Sequence, residues 1–328
     1  MAVPLGVTAA PIMGLGLQTT LQVATKASEC GYRSFWTAEV TGPEAFSVLG
    51  AVAATTNLSV GTGVLALQLR TPPLMAMAGA TLQALAPDRD VLLGVGISSP
   101  VVAGRWHGAG YGDRPLAQVR EYVHLVRLCL SGEKVDFSGD FYEVKGFRLS
   151  VRLPEGRAPK IVIGALNEAM LRLAGEVADG VLLNYLPSSH VPWSVEQVRK
   201  GGDARIYAYV HCGVGDPADA DKPARFDLFS YAVVDSYARN FERAGYGDSV
   251  AAIRERHAKR DRDGALAAVS DEFIKGIDFL GSEDEVKAFT QAYVDAGVEE
   301  PIVFPLPWGA DRHAVIDRTL HAVAELGR

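Results

Sequence analysis

The 328-residue chain holds only three cysteines, Cys30, Cys129 and Cys212, far apart and without a CxxC pair. A disulfide scaffold and a thiolate zinc knuckle are excluded, and buried thiols in a reducing cytoplasm are expected. Positive charge is also scarce. Thirty-two Lys and Arg stand against 39 Asp and Glu, a formal net charge of −7. Such a chain repels phosphates, and its basic residues are scattered, so no nucleic-acid partner is expected. No window approaches the ~18 uninterrupted apolar residues of a membrane span, and no basic stretch precedes the first apolar residues as in a signal peptide. Neither a membrane partner nor secretion is therefore expected.

Motifs of familiar chemistry are missing too. The seven histidines, at 107, 124, 190, 211, 257, 313 and 321, show no HxxH or HxH spacing, and no metal site is expected. There is no Gly-x-Ser-x-Gly elbow and no Walker loop. The stretch GVGISSP, Gly94 to Pro100, lacks the third glycine of a dinucleotide fingerprint.

What the chain has is apolar residues, 48%, in a repeating order. Short runs that do not alternate with polar residues read as strands buried on both faces. They are Leu5–Thr8, Ser34–Ala38, Leu58–Thr62, Val91–Gly96, Lys160–Gly164, Gly180–Asn184, Arg205–Cys212 and Pro301–Pro305. Between them lie stretches of helical period, such as Leu116, Val119, Val123, Val126 and Leu130. Pro43 and Pro73 can each open a helix. Phe226, Phe229, Val233, Tyr237 and Phe241 read as one helix, and Leu266, Val269, Phe273, Ile277 and Leu280 as another.

Eight strands alternating with helices predict an α/β fold, a (β/α)8 TIM barrel with insertions, with a doubly wound sheet as the alternative. No linker divides residues 1–328, which read as a single domain. Two segments exceed a minimal barrel. Val135–Val151, after the helix following strand four, reads as a hairpin turning at Ser138-Gly139. Asp216–Asp278 is a helical insertion between strands seven and eight. Barrel enzymes place their chemistry at the C-terminal ends of the strands. Here those ends are small, apolar and poor in nucleophiles, which suits a large flat cofactor held by main-chain groups and packing.

Several stretches resemble the luciferase-like monooxygenase superfamily, in its F420-dependent oxidoreductase branch. They are CGYRSFWTAE (Cys30 to Glu39), LSVGTGVLALQLRTP (Leu58 to Pro72), LAPDRDVLLGVG (Leu85 to Gly96), the run from Asp113 to Val144, APKIVIGALNEAMLRLAGEVADGVLLN (Ala158 to Asn184) and the run from Gly281 to Val303. Their order and spacing carry the resemblance. It implies a barrel with coenzyme F420, or alternatively FMN, at the strand C-termini. It also implies a non-prolyl cis peptide at Gly63–Val64, with Val64 backing the ring and Ala38 and Ala66 beside it. Gly96, Ile97 and Ser98 would lie near the ribityl side. Gly164, Ala165, Leu166, Asn167, Ala169 and Met170 would flank ribityl and phosphate, where a helix N-terminus favours an anion.

Glu39 falls where relatives place an acid/base side chain beside the reactive carbon; the competing role is pairing with an arginine or capping the following helix. Ser99 stands where sugar-phosphate-oxidising relatives carry a second acid, so an uncharged organic substrate is expected. Trp106, His107, Tyr185 and Trp308 are expected to border it. Trp36 reads as core, and His211 as either a proton donor or hydrogen-bonded structure. The resemblance thus implies an F420-dependent oxidoreductase transferring a hydride. The alternatives are an FMN-dependent monooxygenase fed by a separate reductase, a non-catalytic flavin-binding relative, and more remotely a metal-dependent hydrolase. A homodimer is common in the family.

Overall fold

The computed structural model describes residues 2–327. Eight parallel strands close on themselves: β1 (Gly6–Thr8), β2 (Ser34–Thr37), β3 (Ser59–Thr62), β4 (Val91–Gly96), β5 (Lys160–Gly164), β6 (Gly180–Leu183), β7 (Arg205–Val214) and β8 (Glu300–Pro305). Pairing of Gly6 with Ile302 and Val7 with Val303 joins β8 to β1 and shuts the barrel. A doubly wound sheet would leave two open edges and is thereby excluded.

The lack of polar alternation has its cause here, since each strand is covered on both faces. Inward side chains Trp36, Leu92, Val162, Leu182, Tyr207, Tyr209 and Ile302 fill the barrel as one cluster. Trp36 is the core residue it reads as, with Nε1 donating to Ser34 Oγ at 2.7 Å. Outward side chains such as Val7, Phe35 and Val60 pack under the helices.

The surrounding helices are α1 (Leu17–Glu29), α2 (Ala45–Thr55), α3 (Pro72–Leu85), α4 (Pro115–Leu130), α5 (Glu168–Val177), α6 (Val191–Arg199), α7 (Glu283–Asp295) and α8 (Arg312–Ala324). Their starts follow from local chemistry. Thr71 caps α3 ahead of its proline, Ser282 and Glu285 form a capping box on α7, and Asp311 caps α8. α2 begins after Glu44, whose carboxylate accepts from Phe46 N and Ser47 N; Pro43 lies just before it.

Three expectations need correction. The hairpin is present, pairing Val135–Ser138 with Glu143–Phe147, yet its loop spans 139–142 rather than turning at Ser138-Gly139. The cause is Glu121 of α4, whose carboxylate gathers the amides of Asp140, Phe141 and Tyr142 at 2.8 Å each. The Phe226–Phe241 helix is broken into Asp221–Ala232 and Asp235–Phe241, because Val234 between them is extended. The Leu266–Leu280 helix is likewise divided into Arg262–Ala267 and Asp271–Ile277. Ser270 caps the second piece, and Phe279–Gly281 leaves it to pair as a strand with Cys212–Val214 of β7. With Gly247–Ala258, these pieces build the insertion around their own core, which takes in Leu228, Phe241, Val250, Ile253 and Phe273.

Candidate active site

At the C-terminal end of β3 the ladder to β4 is interrupted. It runs through Gly61 and Leu92, then resumes in the short strand Leu65–Ala66 at Leu65–Val95 and Ala66–Gly96. Thr62 bridges the gap, its Oγ1 donating to Gly94 O at 2.8 Å and accepting from Gly94 N at 2.7 Å. The Gly63–Val64 bond in this gap is cis, as the resemblance implies. Tyr209 supports it from inside the barrel, donating from Oη to Gly63 O at 2.6 Å and accepting from Thr8 Oγ1 at 3.3 Å.

Val64 lies half-buried on top of the interior cluster, beside the half-buried Phe304. Its side chain occupies a socket that two glycines leave open. A Cβ at Gly96 would approach Val64 Cγ2 to 2.9 Å, and one at Gly164 to 3.1 Å. The structure therefore brings Gly96 and Gly164 together around Val64. Ala38, Ile97 and Ser98 are half-buried on the same rim, and Ala66 is nearly closed off beside Gly96. Ser99 Oγ accepts from Val102 N and starts the single wide turn 100–106.

After β5, Ala165 is buried and its amide is taken by Leu182 O. Leu166, Asn167 and Met170 are half-buried and Ala169 is exposed. Asn167 is the N-cap of α5, yet no side chain caps this helix. Its first amides are thus left without a side-chain acceptor, an arrangement suited to an anion. Asn167 Oδ1 instead accepts from Arg243 of the insertion at 2.7 Å, and the same guanidinium reaches Leu166 O at 3.1 Å. Arg243 supplies a cation beside the exposed first-turn acid Glu168. It lies 76 residues from Asn167, and local reading of the sequence did not reveal it.

Glu39 lies just past β2 with its side chain 16% exposed. Arg70 donates to its Oε1 at 3.1 Å and to its Oε2 at 3.4 Å, and Oε1 accepts from Ala45 N at 3.3 Å. Both halves of the competing role, arginine pair and helix contact, are present. Arg70 also pairs with Glu44 and lies over the Phe46 ring. Two polar atoms of this rim segment, Gln68 Oε1 and Arg70 Nε, are buried without a partner.

The residues expected at the substrate boundary separate. Trp106 is 57% exposed, and His107 Nε2 donates to Val40 O at 2.6 Å, tying the loop after β4 to the loop after β2. Trp308 is half-buried against the insertion core. Tyr185 is 3% exposed, with Oη donating to Asp227 Oδ2 at 2.8 Å, and so forms part of a buried network rather than an open wall.

That network centres on His211, at the inner face of β7. The ring stacks on Phe304 at 3.9 Å. Nδ1 is 2.9 Å from Asp278 Oδ1 and Nε2 is 2.9 Å from Asn184 Oδ1. Burial pushes the imidazole pKa down to about 4, the nearby Asp227 charge opposing it only in part. Burial raises Asp278 to about 8, and burial together with the Asp278 charge raises Asp227 to about 7. Of the two readings open for His211, hydrogen-bonded structure describes what is seen. Asp227 and Asp278 come from the insertion and had no signal in local spacing.

With this geometry in hand, three similarities are informative. The chain is 29% identical over 309 residues to a 5,10-methylenetetrahydromethanopterin reductase of Archaeoglobus fulgidus, covering 87% of this chain and 89% of that one. The solved coenzyme F420-dependent tetrahydromethanopterin reductase of Methanopyrus kandleri superposes with a TM-score of 0.79 at 20% identity, over 99% of this chain and 98% of that one. An F420-dependent secondary alcohol dehydrogenase in complex with an F420-acetone adduct superposes at 0.76 and 18% identity, over 98% and 99%. The likeness to both structures shows the fold, a TIM barrel. The profile of the luciferase-like monooxygenases matches residues 3–300, and the chain belongs to that family.

Proposed function

We propose that the protein is an F420-dependent oxidoreductase that transfers a hydride between the deazaflavin and an uncharged organic substrate. The observation that carries this reading is the rim itself: a half-buried Val64 seated between Gly96 and Gly164, next to a helix whose N-terminus no side chain caps. The residues fit the cofactor in kind. Val64, Ala38, Ala66, Gly96 and Ile97 offer an apolar floor and small neighbours for a flat ring. Ser98, Gly164, Ala165, Leu166 and Asn167 would follow the ribityl chain. The amides of Ala169 and Met170, with Arg243, would meet the phosphate. When bound, F420 supplies two-electron hydride chemistry, which the protein's side chains lack.

In this reading the chain's own work is to hold, orient and exchange a proton. Arg70 fixes the Glu39 carboxylate, and Oε2 is the less engaged oxygen, so Glu39 Oε2 is the atom assigned to take the substrate's proton. Trp308 and the Trp106-His107 loop would border the substrate, with the His107–Val40 contact keeping that loop over the rim. The small apolar mouth, with Ser99 tied up as a cap, favours an uncharged partner. A homodimer would cover the exposed apolar stripe of α3, Leu74, Met77 and Leu85.

A second reading, an FMN-dependent monooxygenase fed by a separate reductase, draws on the family's own description. Fluorescence titration of the purified protein with F420 and with FMN separates the two. The proposal expects saturable F420 binding with Kd below about 1 μM, roughly −8 kcal/mol, and no comparable FMN binding. Tight FMN binding with oxygen consumption on supply of reduced FMN would replace it.

A further inference from the structure

The His211 network presents a shortage of hydrogens. Asn184 Oδ1 accepts the Tyr185 amide at 2.9 Å as well as facing His211 Nε2. An oxygen that accepts a main-chain N–H fixes the orientation of the amide, so Nε2 carries the imidazole hydrogen. In a neutral ring Nδ1 is then a lone pair, and it faces a carboxylate oxygen of Asp278 at 2.9 Å. The carboxyls of Asp227 and Asp278 also meet at hydrogen-bonding range. Asp278 is fully buried, and its Oδ2 has no donor. Acceptors therefore face acceptors around a fully buried Asp278 carboxylate, an arrangement that needs protons or a cation.

We propose that His211 Nδ1, one carboxylate oxygen of Asp227 and one of Asp278 form a binding site for a single divalent transition cation of the zinc or manganese class. One ligand atom from each residue lies within 4.8 Å of the other two. An imidazole with two carboxylates suits such ions better than it suits magnesium or calcium, which prefer oxygen alone. The surroundings match those of metal ligands. Asn184 takes the far N–H of the imidazole, and the Tyr185 hydroxyl holds Asp227 Oδ2. Two carboxylates, a neutral imidazole and a dication sum to zero, which removes the cost of leaving the acids charged in the interior. Asp227 is half-buried and gives the ion a way in.

The ligands lie on three pieces of chain. His211 is on β7, Asp227 on the helix Asp221–Ala232, and Asp278 directly follows the helix Asp271–Ile277. The ion would tie the insertion to the barrel mouth, and its role is to fasten that cover. The spacing of the histidines gave no hint of it, because only one histidine contributes.

The test uses the full chain, stripped with a chelator, dialysed, and titrated with zinc chloride and separately with manganese chloride, magnesium chloride serving as control. Elemental analysis of the dialysed protein counts bound metal, and limited proteolysis reads the hold on residues 216–278. The expected result is one zinc or manganese per chain, slower cleavage of the insertion when it is bound, and affinity weakened about 10–100-fold or more by Asp278→Asn and by Asp227→Asn. The half-buried Asp227→Asn decides the matter if Asp278→Asn does not fold. Wild-type protein that retains neither metal, or retention equal in the variants that fold, would overturn the site and leave shared protons in its place.

Discussion

The two rims of the barrel are built on opposite plans. At the N-terminal rim each buried or half-buried acid meets a cation. Asp90 is 3.0 Å from Lys160, 3.5 Å from Arg33 and 3.9 Å from Arg157, and Glu300 receives Arg205 at 3.0 Å and Ser34 Oγ at 2.5 Å. Arg89 donates to the main-chain carbonyls of Ala53, Thr56 and Leu58. The clefts there, of about 420 and 500 Å³, are lined by these paired charges, Arg205 Nε alone among them being buried without a partner. At the C-terminal rim the floor is main chain, glycine and valine. Buried polar atoms there lack partners, at Gln68, Arg70 and Asp278. Most charges of the N-terminal rim answer one another, which serves stability, with Arg205 Nε the exception; the C-terminal rim leaves more groups over.

The largest contrast should come from exchanging a single acid on each rim. Glu39→Gln is expected to lower turnover about 10²–10⁴-fold with the fold retained, whereas Asp90→Asn should leave turnover unchanged. Steady-state kinetics with circular dichroism as control checks this, and equal rates in wild type and Glu39→Gln would return Glu39 to a purely structural role. Next is the ladder gap. A Cβ at Gly94 would overlap the Thr62 carbonyl, so Gly94→Ala should cost about 3 kcal/mol in urea unfolding, at the upper end of overpacking penalties. Arg243→Ala comes third. It should weaken F420 binding about tenfold, roughly 1.4 kcal/mol, with a shallower salt dependence than wild type.

The smallest effect belongs to the N-terminal rim. Burial would raise the Asp90 carboxyl, but hydrogen bonds and charge from Lys160 and Arg33 prevail and hold it below its ordinary value. Its contribution is complete above the unfolded pKa, about 3.9, and fades as pH falls through the lower folded value. Asp90→Asn should therefore cost about 1 kcal/mol at pH 7 and progressively less below pH 4, read from urea melts at several pH values.

The barrel strands were legible because burial on both faces leaves an unbroken apolar run such as VLLGVG, whereas the caps Thr71 and Ser282 emerged only with the structure. The insertion was legible as helical but not in its breaks. Phe226 to Phe241 keep their period across an extended Val234, and a period cannot register a change of direction that tertiary packing imposes. The site divides in the same way. Gly96, Gly164 and Val64 follow from strand order. Arg243, Asp227 and Asp278 arrive from the insertion, and their placing depends on contacts 42 to 77 residues away in the chain. Tyr209 could have been found from alternation along β7, which turns Tyr207, Tyr209 and His211 to the same side.

Diffraction from crystals grown with F420 tests the central claim most directly. The account predicts the deazaflavin ring resting on Val64 at the C-terminal rim, with its phosphate at the first turn of α5 beside Arg243. A ring bound elsewhere, or a rim found closed by side chains at saturating F420, would contradict it.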